Sequence, residues 1–204
     1  MLGISSILWV AIPAYREHRA IQEVRRLGGH YQSEQTAPKW LCNLVGYNRL
    51  GVFEKVTAIY LRNAPATDDS LKHFDSLAGL RVLDLDRTQV TDVGLVHLKG
   101  LMRLEYLDLH GTGVTDTGLA QLTRLTELRT LCLSNTGVTD VGLAELTRFS
   151  KLQRVTLGPD VTDAGLGYLS GLRQLRTLWL VRTEVTLEGI KTLKTALPAC
   201  AISH

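Results

Sequence analysis

Asp84, Asp86, Asp108 and His110 are the side chains whose types and spacing come nearest to a site for chemistry. Asp84-Leu85-Asp86 and Asp108-Leu109-His110 are one three-residue pattern repeated 24 positions apart. A fold that lays the two segments side by side brings three carboxylates and an imidazole within a few ångströms of one another. Such a group offers donors for a divalent cation, which would make it a metal-binding or enzymatic site, or for an arginine or lysine of another protein. The plainer alternative is a solvated acidic face, since neighbouring carboxylates are tolerated in water. Cys132 stands another 24 positions on and would make a thiol–imidazole pair with His110. A shallow sheet surface gives such a pair neither an oxyanion hole nor exclusion of water, so nucleophilic catalysis is not expected. Cys42, Cys132 and Cys200 are too few and too scattered for a disulfide framework, and none has zinc-ligand spacing to a histidine. The glycines fall mainly in turns and caps, with no phosphate-binding loop among them, and no cofactor or metal is expected.

What must position these residues is a repeat. The phrase LxxLxLxxTxVTDxGLxxLxxL begins at Leu80, Leu104, Leu128, Leu152 and Leu175, and a degenerate copy begins at Val56. The fourth copy is one residue short, at Gly158-Pro159-Asp160. A fixed period of this length with leucines at positions 1, 4 and 6 marks a leucine-rich-repeat solenoid, an α/β fold with a curved parallel sheet on its concave face and helices on its convex face. The LxxLxL part reads as a short strand with its leucines pointing inward. The TDxGLxxLxxL part reads as a helix, in which Leu95, Leu98 and Leu101 recur at i, i+3 and i+6. Thr91, Thr115, Thr139 and Thr162 are natural N-caps, and the aspartate after each suits the positive end of the helix dipole. Thr88, Thr112, Thr136 and Thr183 occupy a turn position where a hydroxyl serves buried backbone groups. The outward strand positions 3, 5 and 7 then form lanes across the concave face. Packing constrains them little, so they carry the candidate partner-binding residues: Tyr60, Asp84, Asp86, Tyr106, Asp108, His110, Arg154 and Trp179.

Ahead of the repeats, residues 1–15 form a hydrophobic segment and residues 16–55 an amino-terminal helical cap, with about six repeats and a carboxy-terminal cap over residues 56–204. Met1 to Ala14 carries no charged side chain. As a helix it would span about 21 Å against a hydrocarbon core of about 30 Å, and Pro13 interrupts it. It is expected to be a truncated anchor, a marginal anchor or a hydrophobic cap, so that membrane association through residues 1–15 is one of the expectations. Ala20, Ile21, Val24 and Leu27 share one helix face, and Gly28-Gly29 ends that helix. His30 to Gln35 reads as a short strand, Pro38 to Leu44 as a short helix bringing Trp40, Leu41 and Leu44 to the cap, and Leu197 to Ile202 as a closing edge strand. The net charge of +3 belongs to residues 1–55, which hold 7 Lys/Arg against 4 Asp/Glu, while residues 56–204 hold 16 of each. A formally neutral repeat body argues against nucleic acid as the partner.

The phrases VTDVGLVHLKGL (90–101), VTDTGLAQLTRL (114–125) and VTDVGLAELTRF (138–149) resemble the cysteine-containing subtype of leucine-rich repeats, with threonine in the cysteine slot. The whole chain resembles leucine-rich-repeat proteins abundant in planctomycete bacteria, in which a hydrophobic amino-terminal segment, an AIxxxxxLGG helix (Ala20–Gly29 here), a PxWL-like helix (Pro38–Leu41) and VTDxGL repeats follow in that order. The resemblance implies a non-enzymatic protein-interaction module, often membrane-tethered or exported, binding an unidentified protein through the concave face. The same subtype occurs in substrate adaptors of ubiquitin ligases, but those carry an F-box ahead of the repeats and residues 1–55 contain none.

Overall fold

Each repeat closes as one coil of strand, turn and short helix, and stacking the coils joins their strands into a sheet. A computed structural model describes residues 4–36 and 54–204, with side chains from Tyr15 onward. The expected Pro38–Leu44 helix and Cys42 lie outside the described residues. The elements are α1 (Ile4–Arg26), β1 (His30–Gln35), β2 (Glu54–Tyr60), α2 (Asp68–Leu71), β3 (Val82–Asp84), α3 (Asp92–Leu95), β4 (Tyr106–Asp108), α4 (Asp116–Gln121), β5 (Thr130–Cys132), α5 (Asp140–Leu143), β6 (Arg154–Leu157), α6 (Asp163–Leu169), β7 (Thr177–Leu180), α7 (Leu187–Ala196) and β8 (Ala201–Ser203). Among the described residues the sheet runs β1 to β8 in chain order, β1 antiparallel to β2 and every later pair parallel.

The repeated apolar letters make the core. Leu80, Leu83, Leu85, Val90, Leu95, Leu98 and Leu101, and their counterparts in the next coil, have no exposed surface. After Leu95 the chain tightens to a 3₁₀ turn over Val96–Leu98. Leucines spaced three apart align on one face at three residues per turn, so the i, i+3, i+6 spacing favours that tightening. At the amino end Ala20, Ile21 and Val24 of α1, with Leu27 just after it, cover the first coil and are buried as expected. In contrast to the expected break, α1 runs unbroken through Pro13: a helix that keeps its other hydrogen bonds tolerates the loss of one donor. No helix among the described residues is long and apolar enough to cross a membrane. The closing strand begins at Ala201, later than expected, because Leu197 and Cys200 turn into the core instead.

The TDxG letters form a staple between coils. Asp92 accepts both the backbone N–H and the hydroxyl of Thr115, at 2.8 and 2.6 Å. Asp68 does the same for Thr91, Asp116 for Thr139, Asp140 for Thr162 and Asp163 for Thr186. Each threonine is therefore used twice, capping its own helix and donating to the coil before. The glycine three residues after each stapled threonine answers a third need. A Cβ at Gly118, Gly142, Gly165 or Gly189 would fall inside the preceding coil's aspartate Oδ1.

A second repeated position adopts left-handed backbone: Asn63, Arg87, Gly111, Asn135 and Arg182 have φ of 57°, 54°, 63°, 54° and 56°. The fourth coil has Pro159 at this position, and a ring that fixes φ near −65° cannot adopt that conformation, so that coil turns with one residue fewer. Beside it in each coil, Thr88, Thr112 and Thr136 donate to the carbonyls of Leu85, Leu109 and Leu133 at 2.8, 2.7 and 2.6 Å. Thr183 departs from the expectation: its hydroxyl is buried without a hydrogen-bond partner.

Candidate functional site

Parallel pairing without slippage lays equivalent residues beside one another. The register sets Tyr60 next to Asp84, Asp84 next to Asp108, and Asp108 next to Cys132, with Thr156, Trp179 and Ser203 continuing the lane. Tyr106, Thr130, Arg154 and Thr177 form a parallel lane. Asp84, Asp86, Tyr106, Asp108 and His110 therefore do come together. Arg154 and Trp179 stand two and three strands beyond Asp108, about 10 and 14 Å along the sheet, and belong to a separate patch.

The cluster is not the solvated acidic face considered above. Asp84, Asp86 and Asp108 keep only 7, 5 and 5% of their surface exposed. All of their oxygens except Asp86 Oδ1 are engaged from within. Asp84 Oδ1 accepts the Asp86 N–H at 3.0 Å and Asp108 Oδ1 accepts the His110 N–H at 2.9 Å, so each aspartate braces the backbone turn that follows it. The Tyr106 hydroxyl donates to Asp108 Oδ2 at 3.1 Å. Arg62 Nε lies 3.1 Å from Asp86 Oδ2 and 3.7 Å from Asp84 Oδ2. His110 Nδ1 meets Ser134 Oγ at 2.6 Å, while its Nε2 is 4.0 Å from Asp86 Oδ1, an oxygen with no hydrogen-bond partner. Four consecutive coils thus contribute a row, Arg62, Asp86, His110 and Ser134. Arg62 and Ser134 were not among the candidate residues, although they occupy the same repeat position as Asp86 and His110 and the period alone pairs them.

These contacts decide what the cluster can do. With carboxylate oxygens directed at backbone N–H groups, Arg62 and Tyr106, no convergent ligand set is left: among the described residues no group of three or more His, Cys, Asp or Glu side chains is placed to hold a metal ion. The thiol–imidazole pair is not assembled either, because His110 Nδ1 faces Ser134. Burial, with the charge of Asp108 next, pushes the Cys132 thiol up to about 12, so it is protonated at neutral pH and is a poor nucleophile. Burial, and then the charge of Asp108, push the Tyr106 phenol well above its usual range and keep it a hydrogen-bond donor. The floor of the face is thus desolvated and negative, with exposed side chains standing beyond it: Arg154, Trp179 at 39% and Val181 at 41%.

The coil-by-coil strand and helix, the leucine core and the continuous parallel sheet define the chain as a leucine-rich-repeat solenoid. Among solved structures it is similar to an internalin of Listeria monocytogenes, with a TM-score of 0.51 at 20% identity over 72% of this chain and 46% of that one. It is also similar to internalin C2 of the same organism, with a TM-score of 0.42 at 21% identity over 72% of this chain and 81% of that one. No family model matches the chain, and no curated protein does. At this identity the shared property is the fold, and the chain spans less than half of the first internalin.

Proposed function

We propose that the protein binds a protein partner through the outer face of its sheet and carries out no chemical step. The observation that carries this reading is the division of labour along each repeat. The repeated letters are consumed by core, capping and stapling, whereas the outer lanes keep Trp179, Val181 and Arg154 exposed on a framework that packing does not require them to serve. A tryptophan on a rigid surface with an arginine nearby is the composition that dominates interface energetics. Tyr60, Tyr106, His110, Arg154 and Trp179 are the contacting residues in this proposal. Asp84, Asp86 and Asp108 lie beneath them and supply negative potential as well as bracing the turns. The protonated Cys132 and the internally engaged carboxylates support a binding role over catalysis.

The face is tested with Trp179→Ala and Arg154→Glu together, against a pair on the helical side that is still more exposed, Val93→Ala with Val141→Ala. The partner's affinity should fall with the first pair alone. Reversing Asp84 or Asp108 is a poor test, because a buried aspartate that braces a turn is needed for folding.

A further inference from the structure

At the amino-terminal end, α1 and the turn following α2 enclose a cleft of ≈ 380 Å³. Arg16 and Arg19 of the helix line one side, and Lys72, His73, Asp75 and Ser76 line the other. The carboxylates of α1 are already engaged, although Glu23 also faces Ser70 and His73 at the edge of the cleft. Glu17 accepts the Val56 N–H at 2.8 Å, and buried Glu23 is held by Arg26 through two contacts of 2.7 Å. Lys72 pairs with Asp69. Arg19 lies over the Tyr15 ring at 6.0 Å, and among the described residues no carboxylate is ion-paired with Arg16 or Arg19. Asp75 is the single acid in the lining. The cleft therefore presents an excess of positive charge at an exposed surface.

The same helix continues without a break into the stretch where Met1–Ala14 has no charged side chain. An uncharged helical stretch followed within about one turn by exposed arginines is the arrangement that lies at a membrane boundary, apolar residues toward the acyl chains and cations level with the phosphates. Each signal alone gives weak attachment and the two together give a stable one. We propose that the Arg16, Arg19, Lys72 and His73 cleft docks on an anionic bilayer surface by taking lipid phosphate groups, with the uncharged part of α1 entering the interface. Because α2 belongs to the helical layer, docking there leaves the outer face of the sheet open.

The test is co-sedimentation of the full chain with vesicles of phosphatidylcholine alone or containing roughly one third phosphatidylglycerol. The anionic vesicles should bind at least about tenfold more tightly, and that gain should disappear at high salt. Arg16→Glu with Arg19→Glu should abolish the gain, Arg16→Lys with Arg19→Lys should retain it, and Arg124→Glu with Arg173→Glu, an equal charge change on exposed residues of distant coils, should leave it intact. Circular dichroism shows that each variant is folded. Equal binding to both vesicles, or an unaffected Arg16→Glu/Arg19→Glu variant, overturns the proposal. So does release from anionic vesicles by millimolar inorganic phosphate at constant ionic strength, which would mark a site for free phosphate.

Discussion

A carboxylate in the first turn of a helix is ordinarily explained by the helix dipole, worth about 0.3–1 kcal/mol. Here the larger effect is the pair of hydrogen bonds each aspartate accepts from the next coil's threonine, and the glycine that makes room for it. Removing Asp116 leaves the Thr139 N–H and hydroxyl without their acceptor, so Asp116→Ala should cost about 1–3 kcal/mol in urea unfolding. Gly142→Ala should cost a comparable amount in the native chain, because its Cβ would strike Asp116 Oδ1. In the Asp116→Ala background the same change should cost less than half as much, and additive losses would dissociate the glycine from the staple. Arg182 presents the opposite case. It holds a left-handed φ of 56° that asparagine fills in two other coils, so Arg182→Asn should raise stability by about 0.5–1 kcal/mol. The threonine caps were legible in the sequence because capping is local. The staple was not, since its two halves lie 22 or 23 residues apart and only the stacked coils show which carboxylate faces which hydroxyl. At the cluster, the pattern that groups Asp84, Asp86, Asp108 and His110 was legible for the same reason that their burial was not: register is periodic, whereas the cover comes from Arg62 and Tyr106, whose rotamers no period dictates.

At the scale of elements, the coils are held in series, and the last joint is one of those open to solvent. The Thr186 hydroxyl and then its N–H hold the Asp163 carboxyl below the usual carboxylate range, joining α6 to the coil that carries α7. A carboxyl whose folded pKa is depressed contributes stability above its unfolded value of about 3.9 and loses it as pH falls through the folded value. The Thr186 amide should therefore keep its hydrogen-exchange protection at pH 6 and lose it selectively below about pH 4. In Asp163→Asn that protection should be weaker at pH 6 and nearly independent of pH. Uniform loss along the chain would show that the staple does not set the strength of this joint. The buried face of α1 and the six-coil period were readable from apolar spacing, whereas β1, His-Tyr-Gln-Ser-Glu-Gln, has none and was placed only by its position after Gly28-Gly29. Less readable were the passage of α1 through Pro13 and the late start of β8, because both depend on what the neighbouring coil leaves to be covered.

For the whole molecule, stacking converts a one-dimensional pattern into two surfaces of different character. The inner sheet face and helix stripe hold a leucine core closed to solvent, and the outer sheet face collects the variable letters into a negative floor with an aromatic and basic patch further along. Sequence alone identifies this solenoid, because the repeat specifies each coil and each coil packs only against its neighbours. It does not separate residues that are outward from residues that are accessible, which is why three buried aspartates stood among the expected contacts. If the outer face is the binding surface, the direct measurement is the dissociation constant of a protein partner isolated from the host's extract with the chain as bait. Trp179→Ala with Arg154→Glu should raise that constant by about 30-fold or more, while Val93→Ala with Val141→Ala should change it less than about threefold. A loss that follows the helical-side pair, or is equal for both, would contradict the account.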